Sequence, residues 1–246
     1  MADTQNLNVS KNDWNGAFVP KHSAKLIKAG IENGTAPFLP REDGSLAPEA
    51  IINANTGYVL SAKELLPVQL TKQEKGYQGN AVGTYNTMGK AETRVKEGEK
   101  GVWYNFKGQD GEFHHAAYFF AEQTEHPERF NDFAQKNSKQ QSVLNGTAFT
   151  ISSVQDYLPM YLAACKSGAK VSVSPEIAGQ FKADMLSVCN NELAHSFNKS
   201  PDIPKLNDML FAADKLANDL IKSTEKQLGI APQKQQKIER NMAQTY

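Results

Sequence analysis

The sequence predicts an α+β fold: a small antiparallel sheet with flanking helices, followed by a mainly helical C-terminal region. Three observations carry this. Residues 102–106 and 113–120 are rich in strand-forming types, and between them lies the five-residue turn Lys107-Gly108-Gln109-Asp110-Gly111 with its two glycines, the pattern of a hairpin with a longer loop. Beyond Ser174-Pro175-Glu176, apolar residues recur at four-residue steps as Ile177, Phe181, Met185, Cys189, Leu193 and Phe197, which lays one buried stripe along a helix. The chain has 246 residues, enough for one large domain or two small ones with a real core.

In chain order, residues 1–20 are polar, with Trp14 and Phe18 scattered among them, and read as a loose arm. A domain over 21–126 follows. Its first helix is expected over 23–33, with Leu26, Ile27 and Ile31 on the apolar face and Gly34 at the left-handed position past the end. Pro37 and Pro40 forbid continuation. Asn55-Thr56-Gly57 reads as a turn, because Gly supplies positive φ and Asn bonds its own backbone. Ser61 followed by Glu64 is a capping-box pattern. Pro67 falls at the sixth position of that helix, where its ring meets the carbonyl four residues back. A kink or a later start is therefore expected.

Residues 127–230 form the mainly helical region, and 231–246 a Gln- and Lys-rich polar tail. Pro127 suits a first helical position. Ser153 opens a helix that Gly168 closes, and Ser174-Pro175-Glu176 opens the striped one. Leu206, Leu210, Ala213, Leu216 and Leu220 repeat the apolar pattern, with Gly229 as the stop. The boundary between the two regions is expected near 125–150.

Lys plus Arg (27) equals Asp plus Glu (27), so a whole-chain basic signature for nucleic acid is absent and any such binding must be local. Charge is segregated along the chain. Residues 63–107 hold eight Lys/Arg against five Glu, net +3, and residues 108–135 hold one Arg against six acids, net −5. An excess this small is ordinarily solvated surface. The polar start of the chain has no apolar signal segment, and no apolar run spans a membrane. Cys165 and Cys189 are too few for a disulfide scaffold and read as small buried hydrophobes. A cytoplasmic protein without a membrane partner is the simplest reading.

Several short motifs occur in a fixed order: Gly34-Thr35-Ala36-Pro37-Phe38, Asn53-Ala54-Asn55-Thr56-Gly57, Tyr85-Asn86-Thr87, then Val95 to Val102 with Gly98-Glu99-Lys100-Gly101 at its centre, and finally Gln123-Thr124. In this order they make residues 26–124 resemble the N-terminal domain of ArdC-type antirestriction proteins of conjugative plasmids and related mobile elements. The resemblance implies single-strand DNA binding without base preference, in a protein of a plasmid, phage or other mobile element. Such binding needs cations for phosphates and exposed aromatic faces for bases. Lys90, Arg94, Lys96 and Lys100 supply the first, and Tyr85, Trp103 and Tyr104 the second. Trp103 and Tyr104 alternate on a strand, so at most one of them can meet a ligand while the other packs inside. Core packing is the commoner role for each. The Gly98–Gly101 segment is a turn from helix to strand whose backbone N–H groups could also meet a phosphate. The sequence departs from the family pattern at Phe38 and Tyr85, which replace tryptophans. Val59-Leu60-Ser61-Ala62 also stands where the family has Tyr-x-Gly-x-Asn.

Members of that family usually continue into a zinc-peptidase domain with His-Glu-x-x-His. This chain has Asn191-Glu192-Leu193-Ala194-His195. An amide replaces the first ligand, and a neutral amide binds zinc poorly. Glu192 and His195 are then ordinary residues of an amphipathic helix or the remnant of a decayed site. His114 and His115 are adjacent on a strand and diverge. No catalytic residue, metal or cofactor is expected. Three functions are ordered accordingly: a non-catalytic single-stranded-DNA-binding protein in antirestriction, a protein-interaction module acting on a host defence or DNA-transfer protein, and a cryptic metallo-hydrolase. Oligomeric state is not encoded legibly.

Overall fold

The computed structural model describes residues 18–107, 113–139, 143–194 and 206–230. The first helix, α1 (Phe18–Glu32), begins earlier than the arm expected over 1–20 allows. Pro20 lies in its first turn, where the helix needs no N–H donor from it. Gly34 has φ of +66° just past its end.

The chain then forms β1 (Ile52–Asn53), α2 (Ala62–Lys75), β2 (Ala81–Gly83), α3 (Tyr85–Lys90), β3 (Val102–Lys107), β4 (Phe113–Phe120) and α4 (Pro127–Asn137). A four-stranded sheet takes the order β1-β2-β4-β3. The hairpin pairs antiparallel from Val102↔Tyr118 to Lys107↔Phe113; its expected glycine turn lies outside the described residues. The sheet is mixed rather than wholly antiparallel, because β1 pairs parallel with β2. These two strands have two and three residues, too short for period-two patterning to declare them.

Helix α2 starts where the capping pattern places it and runs through Pro67. The Glu64 carboxylate accepts from both the N–H and the hydroxyl of Ser61. Asp214, from a later helix, accepts from the Ala62 N–H at 2.9 Å, so two of the donors that a helix start leaves orphaned are satisfied.

The second half contributes β5 (Ala148–Ile151), α5 (Val154–Ser167), β6 (Lys170–Val173), α6 (Pro175–Ala194) and α7 (Leu206–Gln227). It is mainly helical, as expected, but β5 and β6 form a parallel pair that was not foreseen. Ser153 caps α5 by accepting from the Asp156 N–H, and Gly168 ends it in the left-handed conformation.

Side chains alternate across the sheet, as strand geometry requires. Val102, Tyr104, Tyr118 and Phe120 face a large core shared with α1, α2, α5, α6 and α7. Ala117 and Phe119 face a smaller core with Met88 and Ala91 on or just beyond α3, and with Phe130 and Ala134 of α4. The large core thus draws on residues from both sides of the 125–150 stretch. Phe38 lies fully inside it, edge-on to Tyr161 and Phe181.

Candidate nucleic-acid interface

The face of the sheet that carries α3 and α4 also carries the segment with the Gly-Glu-Lys-Gly motif. Thr84 caps α3, its hydroxyl accepting from the Thr87 N–H. The helix ends by turning Glu92 into the left-handed region, at φ of 54°. That conformation costs a non-glycine residue roughly 1–2 kcal/mol, and the Arg129 guanidinium holds it by donating to the Glu92 carbonyl at 3.0 Å.

From there the chain runs beside residues 123–126. The Lys96 N–H donates to the Gln123 carbonyl and the Glu125 N–H to the Arg94 carbonyl, each at 2.9 Å. The His126 N–H donates to the Thr93 hydroxyl at 3.0 Å. Gln123 is the tie between the two segments. It is 2% exposed; its Nε2 donates to Glu99 Oε2 at 2.9 Å and to the Lys100 carbonyl at 3.1 Å. Its Oε1 accepts from the Phe120 N–H at 3.0 Å. The motif around Gly98–Gly101 and the distant Gln123-Thr124 pair are therefore one hydrogen-bonded unit.

The Asn53–Gly57 motif is a turn whose Asn53 Oδ1 accepts from the N–H groups of Asn55 and Thr56. At Gly57 a Cβ would fall 1.8 Å from the Asn137 carbonyl oxygen. Glycine thus lets the end of α4 close against the turn.

Tyr85 is 63% exposed, with its ring 4.6 Å from that of Phe119. Gly101 lies against the same Phe119 ring, since a Cβ there would sit 2.9 Å from Phe119 Cε1. Trp103 points to this face too; it packs half-buried against the smaller core and lies 5.6 Å from the His115 ring. Tyr104 points the other way. It is buried and stacked on Tyr118 at 4.1 Å, and burial pushes its hydroxyl up to about 12. The alternation expected of this pair is met, with Tyr104 as the inward member, unavailable to a surface ligand. The histidines diverge likewise, His114 stacking on Phe106 and His115 meeting Trp103.

Lys90, Arg94, Lys96 and Lys100 are all exposed. Lys90 donates to Asn55 Oδ1 at 2.9 Å, and Lys96 Nζ to the Glu122 carbonyl at 3.0 Å. The charge segregation of the sequence is not kept in space, because Glu122 and Glu125 of the acidic stretch lie beside Lys96 and Arg94. Burial works to raise the Glu122 carboxyl. Hydrogen bonds from the Gly79 and Gln78 N–H groups, with the charge of Lys72, outweigh burial and hold it below the usual range.

Sequence reasoning missed Arg129, which it counted as a lone cation in an acidic stretch. Arg129, Arg94, Gly89, Glu92, Thr93, Glu125 and His126 line one open pocket of about 440 Å³.

The segment read as a possible peptidase remnant has a structural task. Glu192 accepts from the Leu206 N–H at 3.2 Å, at the start of α7. His195 lies outside the described residues. Among the described residues, no group of three or more His, Cys, Asp or Glu could hold a metal ion. Among them too, no helix is long and apolar enough to cross a membrane.

The sequence profile of the N-terminal domain of the anti-restriction factor ArdC matches residues 20–150, more than half of the chain. The chain belongs to this family. Among solved structures, it is similar to the metal-free crystal structure of the antirestriction ArdC protein from the R388 plasmid, with 17% identity and a TM-score of 0.42 over 85% of this chain and 98% of that one. The Mn(II)-bound structure of the ArdC protein aligns with 16% identity and a TM-score of 0.39, over 88% of this chain and 99% of the other. No curated protein matches the chain. Of the two tryptophan positions at which the chain departs from the ArdC pattern, Phe38 is a core position and Tyr85 a surface one.

Proposed function

We propose that this ArdC-family chain is a non-catalytic single-stranded-DNA-binding protein of a mobile element, acting in antirestriction in the cytoplasm. Family membership supports the antirestriction role. The observation that carries the DNA reading is Tyr85: a large aromatic ring, 63% exposed, backed by Phe119. It lies on the sheet face that bears Trp103, beside the clamped Lys96–Lys100 segment. A backed, exposed ring is a platform on which any base can stack, and neighbouring cations track the backbone without reading sequence. Lys90, Arg94, Lys96 and Lys100 are the phosphate-facing set, Tyr85 and Trp103 the stacking set. Asn191 in place of a zinc ligand, with Glu192 engaged at the start of α7, supports the non-catalytic reading.

Fluorescence polarisation with labelled oligonucleotides tests this. Binding is expected at low salt, weakening as salt rises. Absence of binding, or binding indifferent to salt, overturns it. The double substitution Lys96→Glu with Lys100→Glu is expected to weaken all sequences equally.

A second reading, docking onto a host defence or DNA-transfer protein, is favoured by the exposed apolar side chains Phe211 and Leu216 on α7. Co-purification from host lysate that is lost in Phe211→Ser, with no oligonucleotide binding, would put it first.

A further inference from the structure

We propose that the pocket between the end of α3 and the start of α4 is a phosphate subsite, seating one phosphate group between Arg94 and Arg129. The proposal rests on the single-strand reading and adds to it a location and a second arginine that the sequence placed among acids.

The pocket joins parts distant in sequence. Arg94 reaches it from the segment after α3, and Arg129 from the first turn of α4. That segment is fixed to the start of α4 by the Glu125–Arg94 and His126–Thr93 hydrogen bonds, so the two arginines share a rigid frame. Arg129 spends one donor on the Glu92 carbonyl and keeps the rest of its fork. The Arg94 guanidinium has no partner among the described residues. Two planar guanidinium forks at one pocket match the oxygens of a phosphate or a carboxylate, and on the single-strand reading the group offered to them is a phosphate.

Glu92 and Glu125 line the same pocket and balance the two arginines. The site's preference therefore comes from donor geometry more than from net charge. Such a site takes one phosphate weakly and acts in register with contacts elsewhere on a strand. Free phosphate and a strand phosphodiester offer it the same chemistry.

The wild-type chain, Arg94→Gln and Gly89→Leu are compared. Gly89 has a helical backbone and open space where a Cβ would sit, so leucine crowds the pocket and leaves both arginines in place. Inorganic phosphate is titrated at constant ionic strength while NMR follows Gly89, Glu92, Arg94, His126 and Arg129. A labelled oligonucleotide is titrated over a salt series. Phosphate should shift those signals in the wild type and in neither variant. Each variant should bind the oligonucleotide about tenfold more weakly, and its slope of log affinity against log salt should fall by about 0.7, one strand phosphate. Oligonucleotide binding with full slope in both variants overturns the subsite and leaves the single-strand reading standing. Phosphate shifts without oligonucleotide binding support the anion site and overturn the single-strand reading. Neither response overturns both.

Discussion

The buried side-chain amide of Gln123 donates to the main-chain carbonyl of Lys100 at 3.1 Å, while its oxygen accepts from the Phe120 N–H. One side chain thus joins the end of β4 to the loop that carries the basic motif. Gln123→Leu keeps comparable bulk and removes every bond. It leaves a buried N–H and a carbonyl without partners, which costs about 2–3 kcal/mol. Urea denaturation should show that loss. Amide exchange in residues 96–100 should accelerate beyond what global destabilisation explains. A variant with unchanged exchange there would mean the backbone pairing of Lys96 alone holds the loop.

Two glycines of that loop differ in kind. Gly98 has φ of +83° and open space around a Cβ, so its requirement is conformational. Gly101 has no such φ; its Cβ would sit 2.8 Å from the Ala117 Cβ and from the Tyr118 carbonyl oxygen, so its requirement is close packing. Gly98→Ala should cost about 1–2 kcal/mol, and Gly98→Asn less, because Asn tolerates the left-handed region. Gly101→Ala should cost about 1–3 kcal/mol through overpacking, and Gly101→Asn more still. Thermal melts of the four variants decide the matter, and rescue of Gly101 by Asn would contradict it.

Tyr85 and Tyr104 separate binding from stability. Tyr85→Ala should leave the melting temperature nearly unchanged and weaken oligonucleotide binding by about 1–3 kcal/mol, the range for one stacked base. Tyr85→Trp should strengthen it. Tyr104→Ala empties a stacked core position and should cost about 3–5 kcal/mol of stability. Melting curves and polarisation on the same samples check both. Loss of stability in Tyr85→Ala would return that ring to the core.

What the sequence disclosed follows the range of the signal. Local signals were legible. The Ser61–Glu64 pattern, Pro127, Ser153 and Gly168 act within one turn of chain and mark helix ends where the structure has them. The hairpin and the inward-outward split of Trp103 and Tyr104 follow from period two over six and eight residues. Strands of two to four residues gave no such period, so β1, β2, β5 and β6 were missed. The site depends on pairings across 23 to 37 residues, such as Gln123 with Lys100 and Arg129 with Glu92. No local pattern encodes these. The linear charge count failed for the same reason, since the fold brings Glu125 to Arg94.

The buried thiols give the fold a predictable alkaline limit. Burial pushes both Cys165 and Cys189 from 9.0 to about 12, and burial pushes the Tyr104 hydroxyl from 10.0 to about 12. Each is an acid whose native value lies above its unfolded one. Their contribution is therefore complete below pH 9 and is lost as pH rises toward 12, because only the unfolded chain releases these protons early. Each thiol removes at most about 1.4 kcal/mol per pH unit in that window. At pH 8 a thiol reagent should label neither cysteine in the native protein and both after unfolding in urea. Stability measured from pH 8 to 11 should fall, and Cys165→Ala should make the fall shallower while lowering stability at pH 8 only modestly. Rapid native labelling at pH 8, or an unchanged slope in Cys165→Ala, would show that these thiols titrate as exposed groups.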